Sequence, residues 1–340
     1  MNYFLRRSII VIALILFPGT LQARQPIHHE IKVTLHPETH LLQVEDRITL
    51  PRSLLPDPEG RFHFLLHGGL RPKSLTAGVK ITYEEEDPQP LGFGVGGGSG
   101  EAGVRLEHYT VTLPVGLQRF VMAYEGEINH PLIQEEAGSF GKSSETSGIV
   151  SADGIFLSGE TYWYPWFYTD LLTFSIDLTL PEGWNAVSQG ARTRYATGGK
   201  LVRIRWESPE PQLEIYLVGG EWTEYRRQAG RVTAMAFLRE PDQALAERYL
   251  EVTEQYLEMY QKLLGPYPYQ KFALIENFWE TGYGMPSFTL LGPKVIRFPF
   301  ILHSSYPHEI LHNWWGNGVF VDYETGNWSE GLTTYLADYL

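Results

Sequence analysis

His308, Glu309 and His312 belong to the pentapeptide HEILH, with two imidazoles four residues apart and a carboxylate beside the first. On an α-helix, side chains four apart share a face, their Cβ atoms about 5–6 Å from each other. Both rings can then reach one ion at about 2.0–2.1 Å, the zinc–nitrogen distance. Glu309 lies one residue further round the helix, where it ligates poorly but can take a proton from a water at an open coordination position. The bland alternative makes these three residues ordinary surface or core side chains. Glu330, inside NWSEG, tips the balance, because it opens a second helix just downstream and supplies a carboxylate. Two imidazoles and one carboxylate leave a fourth position for water, as catalytic rather than structural zinc sites do. Asp322 and Glu324 are rival third ligands, but they fall in a turn between strands and begin no helix. The spacing that would need a third histidine places Gly318 there instead.

For these groups to converge, the chain must fold as helices on a firm support. The pattern predicts a helix over roughly Tyr306 to Asn317, with Ser304 or Ser305 as cap and Pro307 in its first turn. A second helix runs from Trp328 to Leu340 and meets no stop signal, so the chain is expected to be cut short or a fragment. Upstream, Val232 to Leu238 reads as a strand. Pro241 and Asp242 then open a long helix that Gly265 and Pro266 end, and Phe272 to Ile275 and Phe288 to Leu291 are further strands. Before this, from about His29 to Tyr225, alternation dominates, most regularly at Leu172, Phe174, Ile176, Leu178 and Leu180. The expected architecture is α+β and multidomain, with an antiparallel β-sandwich or saddle over 24–229 and a second domain over 230–340. Residues 1–23 read as an export signal: a basic start, nine apolar residues from Ile9 to Phe17, a helix break at Pro18 to Thr20, and a small residue at Ala23. Nine residues cannot span a bilayer, so no stable anchor is expected once the signal is removed, and the protein should be periplasmic or secreted.

Composition narrows the chemistry further. The 340 residues carry 27 Lys plus Arg against 40 Asp plus Glu, a formal charge of -13, and no basic run interleaved with aromatics, so nucleic acid is excluded as a partner. With no cysteine there is no disulfide, no thiolate nucleophile and no Cys-ligated zinc. Gly92, Gly94 and Gly97 match a dinucleotide fingerprint but open no apolar helix, so that stretch is read as a loop.

HEILHNWWGN from His308, followed by WSEGLTTYLADY from Trp328, resembles the active-site helices of the aminopeptidase N family of zinc metallopeptidases, a gluzincin group. LGPYPYQKF from Leu264 is similar to that family's entry into its catalytic domain, and GETYWYPW from Gly159 resembles part of its N-terminal domain. The resemblance implies a thermolysin-like catalytic domain, of which 230–340 is the N-terminal part. It also implies one zinc ion held by His308, His312 and Glu330, Glu309 as general base, and a peptide substrate lying along Tyr283, Gly284, Met285, Pro286 and Ser287.

Three departures qualify this. Seventeen residues separate His312 from Glu330 where the family has 18, so the intervening turn must be one residue shorter. Pro286 stands where the family's Gly-x-Met-Glu-Asn strand carries the glutamate that holds a substrate's free amine, leaving Glu276 or Glu280 as substitutes. The family's oxyanion-stabilising tyrosine lies well beyond the third ligand, and the sequence ends ten residues after Glu330. The expected function is exported, zinc-dependent, aminopeptidase-like hydrolysis. Its rivals are a zinc hydrolase of different specificity and a secreted protein that keeps the metal site without catalysis. The aromatic run Tyr162, Trp163, Tyr164, Trp166, Phe167 and Tyr168 is read as core in preference to cleft lining.

Overall fold

Alternating apolar residues become strands with one face turned inward. In Ile27–His36 and Leu172–Pro181 every second side chain is buried, and the two pair in parallel at the middle of a seven-stranded sheet. Its other ladders are antiparallel, running from Ala191–Gly198 at one edge to Lys73–Ser74 at the other. A computed structural model describes residues 25–85, 104–135, 143–169, 171–322 and 326–339. The expected export segment, the Gly92 to Gly97 loop and Glu324 lie outside them. Among the described residues no helix is long and apolar enough to cross a membrane.

Three-, four- and two-stranded sheets complete the β-rich first half, and Trp163, Trp206, Phe64 and Phe174 fill its core. The aromatic run divides. Tyr162, Trp163, Tyr164 and Phe167 are buried, whereas Tyr168 is exposed and its ring lies 4.6 Å from that of Trp166.

A five-stranded mixed sheet carries the second half, in the order Thr223–Ala229, Val232–Leu238, Lys271–Glu276, Phe288–Leu291, Gly282–Met285. Its inner strands are near-continuous apolar runs because both faces are covered. Met235, Phe237, Ala273 and Ile275 face the core of the first half. Ala234, Ala236, Phe272 and Leu274 face the helices.

Helix α1 (Gln243–Leu264) is the crossover between two parallel strands, and the Asp242 carboxylate caps it by accepting the Leu245 N–H at 2.9 Å. Helix α2 (Ser305–Leu311) ends earlier than the pattern predicts. The Asn313 side chain donates to the Glu309 and Ile310 carbonyls at 3.2 and 3.0 Å, competing for the next helical bonds, and Gly316 turns the chain at a φ of 107°. Ser304 precedes α2 without capping it, its hydroxyl donating instead to the Phe300 carbonyl. Helix α3 (Trp328–Tyr339) follows and packs on α2.

Leu274→Ala, which opens a void in the helix-facing core, is expected to lower stability by about 2–5 kcal/mol. Asp242→Ala, which removes one cap, is expected to lower it by about 1 kcal/mol. Urea unfolding measures both, and equal losses would contradict the burial described.

Candidate metal centre and its cleft

α2 is short, yet His312 closes it in helical geometry, at φ -55° and ψ -20°, so its ring stays on the face that carries His308. The two Nε2 atoms stand 2.9 Å apart. Glu330, in the first turn of α3, brings one oxygen to 3.3 Å from His308 Nε2 and the other to 3.3 Å from His312 Nε2. A tetrahedral zinc with bonds of about 2.0–2.1 Å has ligand–ligand edges of about 3.3 Å. The spacing therefore fits that ion, and these three residues form the group of potential ligands among the described residues. The shorter link after His312 does not prevent the meeting.

Tautomers favour binding too. The Trp315 carbonyl can only accept, so His312 Nδ1 carries the hydrogen it donates there at 3.1 Å, and Nε2 keeps its lone pair for a metal. Burial, reinforced by the neighbouring His312, lowers the pKa of His308 against the opposing pull of Glu330, which keeps that ring neutral as a ligand must be.

Glu309 lines the same cleft, of about 440 Å³, and is not one of the three potential ligands. Burial, with Glu330's charge second, pushes its pKa up to about 8. The strand Gly282–Met285 runs past it as the sheet edge. A Cβ on Gly284 would lie 2.0 Å from Glu309 Oε2, so only glycine lets strand and carboxylate come this close. Tyr283, Gly284 and Met285 line the cleft with Gly282. Pro286 and Ser287 are outside the lining, and Ser287 is wholly buried in the turn of the hairpin.

Neither proposed substitute for the missing glutamate reaches the cleft. Glu276 accepts from Arg297 at 2.6 Å and from the Arg239 N–H, and Glu280 accepts the Lys294 N–H. The opposite wall instead presents Glu145, Glu160 and Glu214, which the sequence reading did not single out as site residues. Glu214 is placed by the aromatic run. Trp163 Nε1 donates to the Ile215 carbonyl at 3.1 Å and the Tyr164 hydroxyl accepts the Ile215 N–H at 3.2 Å, gripping the residue between Glu214 and Tyr216. The Glu214 carboxylate accepts from the Tyr216 hydroxyl at 2.6 Å and from the Gly159 N–H at 2.5 Å. Only the GETYWYPW segment could have signalled this wall.

Burial raises the Glu214 pKa from 4.5 to about 7, overcoming both hydrogen bonds. Between those values the folded state keeps a proton that the unfolded state has released. The group's stabilising contribution is therefore complete below about pH 4.5 and is lost as pH rises toward 7. Wild-type stability is expected to fall by up to about 3 kcal/mol more across this window than that of Glu214→Gln. Urea unfolding at a series of pH values tests this, and parallel profiles for the two proteins would contradict it.

No protein-family profile matches the chain. Aminopeptidase B of Rattus norvegicus is 29% identical over 184 residues, covering 51% of this chain and 27% of that protein. Leukotriene A-4 hydrolase of Xenopus laevis is 30% identical over 141 residues, covering 40% of this chain and 23% of that protein. The chain thus spans about a quarter of the length of the curated relatives it matches. Among solved structures, the M1 zinc metallopeptidase of Deinococcus radiodurans superposes with a TM-score of 0.64 over 92% of this chain and 70% of that one, at 17% identity. A mutant of that protein bound to a Tyr-Ser-Ala substrate gives a TM-score of 0.65 at 16% identity, with the same coverage. These structures share this chain's sheet-rich fold with few helices, and with the two histidines and the glutamate they point to one zinc ion. By sequence relatives and fold together, the chain is similar to aminopeptidase N-like zinc metallopeptidases.

Proposed function

We propose that the protein is an exported zinc peptidase of aminopeptidase type, acting at the cleft between the metal triad and the Glu160–Glu214 wall. The observation that carries this reading is the convergence of His308, His312 and Glu330 in a cleft that Glu309 also lines. The relatives' names and the Tyr-Ser-Ala complex of the Deinococcus enzyme support a peptide substrate. The basic and apolar character of residues 1–23 supports export to a periplasm or the exterior. The catalytic unit is a thermolysin-like half site over 230–340, whose five-stranded sheet takes its first strand from Thr223–Ala229 at the end of the β-rich unit over 24–229, and the rest of that unit supplies the far wall.

Bound zinc supplies a Lewis acid and lowers the pKa of an attacking water to about 7. The chain's own groups do the rest. The edge strand Gly282–Met285 offers backbone N–H and C=O groups to an extended peptide, which adds as a further strand. Gly284 lets that backbone lie against Glu309. Glu309 takes the water proton at its carboxylate and returns it to the departing amine nitrogen. Glu145, Glu160 and Glu214 line this cleft, and once pH rises past about 7, where Glu214 has released its proton, they offer negative charge to the substrate's free ammonium in place of the glutamate replaced by Pro286. His312 is held in ligating orientation by the Trp315 carbonyl throughout.

Glu309→Gln should retain one zinc per chain and lose about 10²–10⁴-fold in peptide hydrolysis. Metal analysis alongside turnover reads both quantities, and unchanged turnover would exclude Glu309 as the base. Free-amine peptides should be cleaved about 10²-fold faster than their N-acetylated forms. Equal rates would favour the second reading, suggested by Pro286, of a zinc hydrolase that does not require a free amine.

A further inference from the structure

Among the described residues, Lys271 is the only lysine or arginine that is wholly buried, 2% exposed, and it forms no ion pair. A buried ammonium without a counter-ion is unfavourable, and burial, with Arg192 nearby, drives its pKa well below the ordinary lysine value. A methionine would fill the same slot between the Trp206 and Phe288 rings, each 5.0 Å from Nζ, without that penalty. Simple packing therefore does not account for a lysine.

Its polar contacts all converge on one residue. Nζ donates to the Ser287 hydroxyl oxygen at 2.6 Å and to the Ser287 carbonyl at 3.1 Å. Ser287 sits at a φ of 70°, the left-handed region that disfavours a side chain, and needs its surroundings to hold it there. Its N–H donates to Asn313 Oδ1 at 2.6 Å, and its carbonyl also accepts the Ala273 N–H. Asn313 in turn donates to the backbone carbonyls of Glu309 and Ile310. The chain of contacts therefore begins at a central strand, passes through the turn of the substrate hairpin and ends on the helix that carries the base. In the first strand of the same hairpin, Gly284 has no room to spare beside the Glu309 carboxylate.

We infer that Lys271 is a positioning residue for hydrolysis: through Ser287 and Asn313 it sets the gap between the strand Gly282–Met285 and the Glu309 carboxylate. This rests on the peptidase reading above. If the reading holds, losing the relay should slow the chemical step while leaving metal and ground-state binding nearly intact, because only the alignment of base and peptide is disturbed.

The test uses the zinc-loaded full chain with Lys271→Met, Asn313→Ala and the double variant. Lys271→Met is expected to lower kcat about tenfold or more with KM within about threefold and one zinc retained, since small misplacements weigh on rate. The double variant should lose no more than the worse single one, and multiplicative losses would overturn the relay. Hydrogen–deuterium exchange supplies a readout free of activity. In Lys271→Met, protection should fall in the segments 282–291 and 305–317 and be kept in α1. Exchange that rises everywhere, or only beside Lys271, would refute the inference even if the wild-type chain cleaves peptides. If no peptide is cleaved, the peptidase reading fails, and the exchange pattern still decides whether the relay exists. Should Lys271→Met fail to fold, Ser287→Gly relieves the backbone and deletes the hydroxyl acceptor. It is expected to reproduce the exchange pattern with a smaller kcat loss, and no change in either would overturn the proposal.

Discussion

Glu330 meeting the paired imidazoles of His308 and His312 is the contact on which the remaining geometry depends. A single helical turn can aim two rings at one point, but the third ligand must come from another element. Here it crosses from α3 to α2 through a link that turns sharply at Gly316 and Gly326, both at positive φ. That convergence brings negative charge beside Glu309, and with burial it holds the Glu309 carboxylate toward its protonated form. Glu330 and Glu309 are thus electrostatically coupled. A change at Glu330 would alter both metal affinity and the proton affinity of Glu309.

The β-rich half contributes more than a platform. Its aromatic run grips Ile215 at both backbone groups, and the flanking Glu214 and Tyr216 are thereby presented to the cleft. Gly159 approaches Glu214 so closely that a Cβ there would meet its carboxylate at 2.8 Å. Carboxylates from the β-rich half and potential metal ligands from the helices therefore share one cavity although more than 90 residues separate Glu214 from His308. The glutamate lost at Pro286 is offset, in this reading, by charge supplied across the cleft and not by neighbours in sequence. Glu276 and Glu280, the near candidates, are committed to Arg297, the Arg239 N–H and the Lys294 N–H.

Periodicity made much of this visible in advance. The strand Phe288–Leu291, the α1 boundaries at Asp242 and Gly265, and the alternating core of Leu172–Pro181 all follow from local signals that tertiary packing reinforces. HEILH and the glutamate at the head of the next helix were equally readable, because ligand spacing on a helix is a local property. The early end of α2 was not, since it depends on where the Asn313 side chain finds its acceptors. The acidic wall was hidden for a similar reason. Nothing local distinguishes Glu214 from any other strand-end glutamate until Trp163 and Tyr164 fold against Ile215. Lys271 was likewise unremarkable in LGPYPYQKF, and its burial emerges only when the sheet closes over it.

The most direct test of the central claim is anomalous diffraction at the zinc absorption edge from crystals of the full chain. The account predicts one zinc peak about 2.0–2.1 Å from both histidine Nε2 atoms and about 2.0–2.2 Å from a Glu330 oxygen. A zinc site that engages the histidines while the Glu330 carboxylate points elsewhere would contradict it.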